Sequence, residues 1–368
     1  MKYFIIAGEA SGDLHASNLM RGINENDPDA QFMFFGGDLM LKQGGQLIKH
    51  YKDMAFMGFI EVLQNLNQVS KNLKLCKQSI KAFNPDVLIL VDYAGFNLRI
   101  AKYAKKLDYK VVYYIAPKVW AWKESRVKQL RKYVDKLIII FPFEEEYFMR
   151  KGVDAVYLGN PLVDTLQAIP DDGKFIVQHA LEQKPIISLL AGSRKQEIKH
   201  NLPVMLTLIK KFPQYQFVIA GAPSLSIEDY KQHMGNANVP IVFNQTQNLL
   251  RNSTVAVVTS GTATLEAALY NIPEVVCYKG SAISMLIAWM VIRVKYISLV
   301  NLIMDKEVVK ELIQFKLNPE SLYNEVSSLL PGEQHRNEML DSFLQLRNIL
   351  GESETSSRVA KFIIGFIK

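Results

Sequence analysis

Short apolar runs alternate with amphipathic stretches from one end of the chain to the other. In the first amphipathic stretch, Ala16, Leu19, Met20 and Ile23 recur at the spacing of one helical face. Such alternation of strands and helices is typical of parallel sheets that are covered by helices on both faces. The runs that we predict to be strands are 3–7, 32–35, 87–91, 111–115, 137–141 and 155–158, then 186–190, 216–220, 241–243, 255–258 and 274–278.

The alternation of predicted strands and helices is interrupted once, near the middle of the chain. Residues 169–174 contain turn-forming residues and no apolar period, which is typical of a linker. We therefore expect two Rossmann-like, doubly wound α/β domains that face a central cleft, over 1–168 and 174–344. The apolar faces of the tail predict helices, and we expect the part from about 345 to 368 to pack on the first domain. Exchange of this tail with a second subunit, giving a homodimer, is the alternative.

Composition narrows the class of protein. The 368 residues are 49% hydrophobic and 21% charged, which is typical of a folded protein large enough for two domains. Cys76 and Cys277 belong to no Cys/His cluster, so neither a disulfide framework nor a zinc site is predicted. The first strand leaves no room for a signal peptide, and we expect a cytoplasmic protein. A net charge of +7 favours anionic partners such as phosphates, nucleic acid or an acidic lipid surface.

The loop after the first strand is the first candidate for chemistry, because ligands of doubly wound sheets bind at the carboxyl ends of strands. Its glycines let a ligand approach the backbone closely, and Glu9 supplies a carboxylate. The loop lacks the GxGxxG pattern of dinucleotide sites, and it suits the hydroxyl groups of a sugar better. His15 is either a neutral proton carrier in this region or an ordinary helix-surface histidine. The residues that we assign to an acceptor-side loop are Gly8, Ser11, Gly12, Asp13, His15 and, from the next loop, Asn97.

Two further loops follow strands in the first half. Asp92 stands directly at the end of an apolar run, where burial can tune a carboxylate as a general base. It is our first choice for the base and Glu9 is the second; the structural alternative is that Asp92 only caps the next helix. After the following strand, Lys118, Trp120 and Trp122 form either apolar packing or a wall for a sugar ring or acyl chain.

The second half offers donors for phosphate. Ser193, Arg194 and Lys195 follow a strand, and their hydroxyl and cationic groups fit a diphosphate together with backbone N–H groups. The turn Ser260-Gly261-Thr262 joins a strand to a helix start, an arrangement that binds phosphate on N–H groups. Glu266, one turn into that helix, is placed to accept hydrogen bonds from ribose hydroxyls. These residues together predict a nucleotide-sugar site, and since no DxD motif is present we expect neither a metal nor another cofactor.

Two apolar patches suggest a lipid surface. The longer patch, 282–292, has basic residues on both sides but is shorter than the roughly 18 residues that span a bilayer. The other patch lies within 54–63. Each patch is alternatively part of the core or of a subunit interface. The residues that we expect to contact the membrane or acyl chains are Met57, Phe59, Ile60, Leu286 and Trp289.

Six strings occur in the order in which they stand in the lipid-A-disaccharide synthase family, which this chain resembles over nearly its whole length. The resemblance implies the GT-B fold and an inverting, metal-independent transfer of 2,3-diacylglucosamine from its UDP derivative to the 6-hydroxyl of 2,3-diacylglucosamine 1-phosphate. It also implies a peripheral position on the inner membrane and no nucleic acid partner. The strings are Ala7-Gly8-Glu9-Ala10-Ser11-Gly12-Asp13-Leu14-His15, Met57-Gly58-Phe59-Ile60-Glu61-Val62, Pro117-Lys118-Val119-Trp120-Ala121-Trp122, Gly192-Ser193-Arg194, Ser260-Gly261-Thr262-Ala263 and Ser298-Leu299-Val300-Asn301-Leu302.

The resemblance implies roles for single residues as well. Glu9 would face the reacting sugars, Arg194 and the turn 260–262 the diphosphate, and Glu266 the ribose, while Asn301 would line the cleft. Many relatives carry a second acidic residue where this chain has Gly95, so the base stays open between Asp92 and Glu9.

Two other functions remain open at this point. A UDP-sugar 2-epimerase would share the fold but would need no lipid acceptor, and the apolar patches argue against it. A nicotinamide-dependent dehydrogenase or a nucleotide-binding regulator is disfavoured by the missing GxGxxG pattern.

Overall fold

The protein, described here from a computed structural model, divides into two compact units. One unit contains Met1–Asp164 together with Glu352–Lys368, and the other contains Thr165–Gly351. Each unit is built on one parallel sheet. The residues that the structure describes are 1–54, 66–121, 123–167, 173–280 and 294–368.

The sheet of the first unit has seven strands, β1 Lys2–Ala7, β2 Gln31–Gly36, β3 Gln46–His50, β4 Val87–Val91, β5 Lys110–Tyr114, β6 Lys136–Ile139 and β7 Ala155–Tyr157. Their order is β3-β2-β1-β4-β5-β6-β7, and all neighbouring strands are parallel. The chain winds outward in one direction from β1 and in the other from β4. The carboxyl ends of these two strands meet, since Ala7 pairs with Val91. Ligands of doubly wound sheets bind at such a switch point.

Helices cover both faces of this sheet. They are α1 Ala10–Asn26, α2 Asp38–Leu41, α3 Leu66–Phe83, α4 Ala94–Lys105, α5 Val127–Tyr133, α6 Phe143–Arg150, α7 Pro161–Gln167 and, at the end of the chain, a helix Thr355–Ile367. Alternate residues of β1 enter different cores: Tyr3 and Ile5 pack with α1, and Phe4 and Ile6 pack with α3 and α4. Burial on both faces explains why β4 is apolar at every position.

The terminal helix Thr355–Ile367 packs along α1 in the first unit. The two helices approach so closely that a Cβ added at Gly22 would lie 2.9 Å from the carbonyl oxygen of Ser356. The Asp164 carboxylate accepts hydrogen bonds from the N–H groups of Thr355 (3.0 Å) and Ser356 (2.9 Å). These bonds satisfy orphan donors at the start of the terminal helix.

The second unit has a six-stranded parallel sheet made of β8 Ile186–Leu190, β9 Gln216–Gly221, β10 Ile241–Phe243, β11 Ser253–Thr259, β12 Glu274–Tyr278 and β13 Glu311–Ile313. Their order is β10-β9-β8-β11-β12-β13. Its switch point lies between β8 and β11, where Leu190 pairs with Val258. The helices of this unit are α8 Phe175–Gln178, α9 Lys195–Met205, α10 Ile227–Lys231, α11 Thr246–Arg251, α12 Thr262–Leu269, α13 Leu299–Met304, α14 Pro319–Ser328 and α15 Gln334–Leu350.

The predicted fold class, two doubly wound parallel α/β sheets, is confirmed. Each predicted strand overlaps an observed one, whereas the edge strands β3 and β13 were missed. Edge strands have one open side, so they need no continuous apolar run, and β3 is only half-buried along most of its length. Within the described part of the chain, no helix combines the length and apolarity needed to cross a membrane.

Candidate active site

The loops after β1 and β4 meet at the switch point of the first sheet. A Cβ added at Gly8 would lie 2.2 Å from the Tyr93 ring, so the two loops are packed against each other where only glycine fits. Glu9 follows as the N-terminal cap residue of α1 and remains half-exposed. Burial raises the pKa of the Tyr93 phenol, and the charge of Glu9 raises it further. The structure therefore brings together the two loops that carry both candidate bases.

The turn after β4 has a strained backbone. Asp92 and Tyr93 are both left-handed, with φ angles of +43° and +46°, which costs roughly 1–2 kcal/mol for each non-glycine residue. The Asp92 carbonyl oxygen accepts hydrogen bonds from the Tyr113 hydroxyl and from Asn97 Nδ2 (2.8 Å), and the Tyr93 hydroxyl donates to the Met54 carbonyl (3.0 Å). Strain that is held in place in this way is common at functional sites.

Asn97 is buried beside this turn and stabilises it through hydrogen bonds to the backbone. Its side chain is fully buried, and Nδ2 also donates to the Val91 carbonyl at 3.1 Å. The residue that we assigned to the acceptor-side loop thus orients the backbone of Asp92.

The environment of Asp92 is that of a tuned carboxylate. Burial raises the pKa of its carboxyl group above the usual range, and Lys118 and Arg126 oppose that rise. Burial also lowers the pKa of Lys118, whereas the charges of Asp92 and Glu144 favour its ammonium form. Gly95, in the first turn of α4, is exposed, and a Cβ there would meet no atom within 4 Å. Since position 95 is a glycine, it provides no second carboxylate that could act as the base in place of Asp92.

Among the remaining residues of the first loop, Ser11 faces solvent, whereas Gly12 and Asp13 contact other parts of the protein. Ser11 is exposed on α1, whereas a Cβ at Gly12 would lie 3.3 Å from that of Ala7. Asp13 is 3% exposed, and its carboxylate accepts hydrogen bonds from the N–H groups of Gly37 (2.7 Å), Leu39 (3.1 Å) and Met40 (3.2 Å). Asp13 therefore caps α2, and its oxygens face the protein's own backbone.

His15 lies on α1 with a buried ring nitrogen. Burial lowers its pKa to about 4, against the opposing charge of Asp164. The imidazole is therefore neutral at pH 7, and its buried Nδ1 has no hydrogen-bond partner among the described residues.

The loop after β8 begins α9. Gly192 has a φ of +117°, and the Glu197 carboxylate accepts hydrogen bonds from the N–H groups of Ser193 (2.9 Å) and Arg194 (3.3 Å). Two of the backbone donors that we predicted for a diphosphate are therefore engaged by Glu197. The Arg194 side chain is 75% exposed, and Lys195 forms an ion pair with Asp229 at 2.8 Å. Ser193 is exposed as well, and the Arg194 guanidinium remains open to solvent although it lies 3.5 Å from the Glu197 carboxylate.

The turn after β11 lies at the same switch point. Gly261, with a φ of +152°, leads into α12, so the first N–H groups of that helix lie at the carboxyl edge of the sheet. Ser260 Oγ donates to the Ile297 carbonyl at 2.8 Å, and Thr264 Oγ1 donates to the Gly261 carbonyl at 2.9 Å. Thr262 is exposed, and burial raises the pKa of Glu266 on the same helix.

Asn301 requires a correction. It is fully buried, and its Oδ1 accepts from the N–H groups of Val308 (2.7 Å) and Val309 (2.9 Å). Its Nδ2 donates to the Val309 carbonyl (2.8 Å) and to Glu311 (3.0 Å). Since these bonds use both ends of the amide, Asn301 supports the loop before β13 instead of lining a binding surface as we expected. The predicted membrane or acyl contacts Met57, Phe59, Ile60, Leu286 and Trp289, and also Trp122, lie outside the described residues.

Sequence reasoning missed Glu144, a buried acid that follows β6. It is 1% exposed at the start of α6, and burial raises its pKa to about 7. The signal was available, because Glu144 closely follows the apolar run 137–141 much as Asp92 follows β4.

Comparisons with known proteins agree over the whole chain. The family described as lipid-A-disaccharide synthetase matches residues 3–362. The lipid-A-disaccharide synthase of Syntrophus aciditrophicus is 37% identical and that of Myxococcus xanthus 35%, each over 99% of this chain and 97% of the relative. A structure of UDP-GlcNAc 2-epimerase from Neisseria meningitidis covers 99% of this chain and 100% of its own, with a TM-score of 0.71. Its 12% identity shows a shared fold alone.

The residue motifs, the two doubly wound sheets and the full-length relatives thus agree, and the chain belongs to the lipid-A-disaccharide synthase family.

Proposed function

We propose that the protein transfers 2,3-diacylglucosamine from its UDP derivative to the 6-hydroxyl of 2,3-diacylglucosamine 1-phosphate, forming the β-1,6-linked lipid A disaccharide 1-phosphate and UDP. Family membership supports the activity. One structural observation supports the residue roles: the candidate loops follow β1 and β4 in the first sheet and β8 and β11 in the second. These are the strands that flank the two switch points, where such sheets bind ligands.

In this proposal the first unit, which we assign to the acceptor, provides the base. Asp92 takes the proton of the acceptor 6-hydroxyl while the oxygen forms a bond to the anomeric carbon of the donor. The bond from that carbon to the diphosphate breaks on the opposite side, and its electron pair leaves with UDP. Attack opposite to the leaving group inverts the anomeric centre. Glu9 is the second choice for the base, supported by its position in the adjoining loop.

The second unit is assigned to the nucleotide. The Arg194 guanidinium, the Ser193 hydroxyl and the α12 amide groups after Ser260-Gly261-Thr262 suit the diphosphate, because fixed donors stabilise the charge that develops on it. Lys195 adds positive charge nearby, with Asp229 as its present partner. Glu266, one turn further along α12, is assigned to the ribose hydroxyls.

The decisive assay uses the purified full-length protein with both acylated substrates and mass spectrometry of the products. The disaccharide 1-phosphate and UDP should appear in equal amounts, and only when donor and acceptor are both present. Conversion of the donor alone into an epimer would favour the UDP-sugar 2-epimerase reading instead.

The same assay tests metal independence. We expect turnover to be unchanged by EDTA and by added Mg²⁺, because Arg194 and the α12 amide groups provide the electrostatic stabilisation that a metal supplies in other transferases. Turnover that EDTA abolishes and Mg²⁺ restores would contradict this part of the proposal.

The acylated substrates also favour a peripheral position on the cytoplasmic face of the inner membrane. The net charge of +7 supports attraction to an anionic lipid surface. We propose no nucleic acid partner, and we retain a homodimer as a proposal that analytical ultracentrifugation can examine.

A further inference from the structure

Three charged residues follow the carboxyl ends of three neighbouring strands in the first sheet. Asp92 follows β4, Lys118 lies in the loop after β5, and Glu144 lies on α6 after β6. The positive charge of Lys118 favours the ionised forms of both carboxyl groups. The exposed Lys118 thus acts through its charge on the candidate base and on a second, more deeply buried acid.

Glu144 joins two of these loops through hydrogen bonds. Its Oε1 accepts from Trp120 Nε1 at 2.8 Å, in the loop after β5. Its Oε2 accepts from the N–H groups of Ile140 (3.3 Å) and Phe141 (3.1 Å), at the end of β6. One carboxyl group that is almost completely buried thus ties the loop that carries Lys118 to the neighbouring strand.

The loop around Lys118 has little freedom once Trp120 is fixed. The Trp120 ring packs edge-on against Phe143 with centroids 5.1 Å apart, and Val119 between Lys118 and Trp120 is 2% exposed. The Val119 N–H donates to the Pro117 carbonyl at 2.6 Å, which makes the turn tight. Fixing Trp120 therefore restricts the backbone of the loop that carries Lys118.

We propose that Glu144 is a positioning residue for Asp92: by holding Trp120, it keeps the loop that carries Lys118 next to the Asp92 turn, whose Asp92 N–H donates to the Tyr114 carbonyl at the end of β5 (3.0 Å). This inference rests on the proposed role of Asp92 as the base. Glu144 itself touches neither substrate nor the reacting atoms in this assignment.

The charges around Asp92 give the direction of the effect. Lys118 and Arg126 favour its ionised form, and the Tyr93 N–H hydrogen bond acts in the same direction against burial. The Tyr113 hydroxyl, which faces the same turn, donates to the Asp92 carbonyl. If the loop after β5 loosens and Lys118 moves away, one of these favourable charges is lost. The pKa of Asp92 should then rise, and a smaller fraction of the base is ionised at neutral pH.

The test follows the Asp92 carboxyl directly, without substrate. The full-length protein is labelled with ¹³C at aspartate side chains, and the Asp92 signal is assigned with the Asp92→Asn variant. In Glu144→Ala, and in Trp120→Phe, which keeps a ring but loses the Nε1 donor, we expect the titration midpoint of Asp92 to rise by about half a pH unit or more, which lowers the ratio of ionised to protonated carboxyl roughly threefold at a given pH. Glu144→Gln retains an acceptor for Trp120, so its Asp92 midpoint should stay close to that of the wild type.

Glu146→Gln is the matched control, since Glu146 lies exposed on the same helix and should leave the midpoint unchanged. An Asp92 midpoint that is the same in wild type and Trp120→Phe would overturn the proposal, even if Glu144→Ala does not fold. Failure of the proposed function would appear separately, as missing disaccharide in the mass-spectrometric assay, and would leave the titration result standing.

Discussion

Replacing Asp92 with asparagine is expected to lower kcat by about 10²–10⁴-fold, the range that a general base contributes. Asparagine has nearly the same shape, and the side-chain hydrogen bonds from Asn97 Nδ2 and the Tyr113 hydroxyl to the backbone carbonyl of residue 92 remain available. The loss would therefore reflect the missing proton acceptor. Steady-state kinetics with both substrates measures it.

The pH dependence has a definite sign. Burial raises the pKa of Asp92, so the wild-type kcat/KM should fall as the pH decreases through this raised pKa, above the ordinary value for aspartate, because the base becomes protonated. That acid limb should be absent from any residual activity of Asp92→Asn. Asp86→Asn is a matched control, since Asp86 precedes the same strand at its other end and its carboxylate accepts a hydrogen bond from the Lys2 N–H, far from the Asp92 turn. Full activity in Asp92→Asn together with an inactive Glu9→Gln would transfer the base to Glu9.

Replacing Arg194 with alanine is expected to lower turnover by at least about a hundredfold, the effect of removing one donor that stabilises developing negative charge. The substitution retains the hydrogen bond that the residue 194 N–H donates to Glu197, so the loop after β8 should keep its backbone conformation. Arg194→Lys should recover only part of the rate, because a lysine keeps the charge and loses the forked geometry. Lys199→Ala, at an exposed position on the same helix, provides the control. A nearly normal rate in Arg194→Ala would refute the assignment to the diphosphate.

The main chemical loops were predictable because each follows an apolar run with residue types that the chemistry needs. Glycine and glutamate follow β1, aspartate follows β4, and hydroxyl or cationic residues follow β8 and β11. The pattern does not specify which strands are neighbours. The sheet order brings the loops together, because it pairs Ala7 with Val91 in the first sheet and Leu190 with Val258 in the second.

The direction in which a polar side chain faces was harder to predict. Asp13 and Asn301 stand in motifs that suggest a ligand, but their partners are groups of the protein itself, such as the Gly37 N–H for Asp13 and the Val308 N–H and Glu311 carboxylate for Asn301. Glu144 was missed for the opposite reason: it belongs to no motif, and only the structure shows its hydrogen bonds with Trp120 and the end of β6. Buried polar groups must find partners, and sequence spacing does not reveal which partners the packing provides.

The central claim is that the second unit binds the nucleotide at the switch point between β8 and β11. A crystal structure of the full-length protein with UDP tests it most directly. The account predicts the diphosphate against Arg194 and the amide groups that follow Gly261, with the ribose at Glu266. UDP bound in the first unit, or away from the β8 and β11 loops, would contradict it.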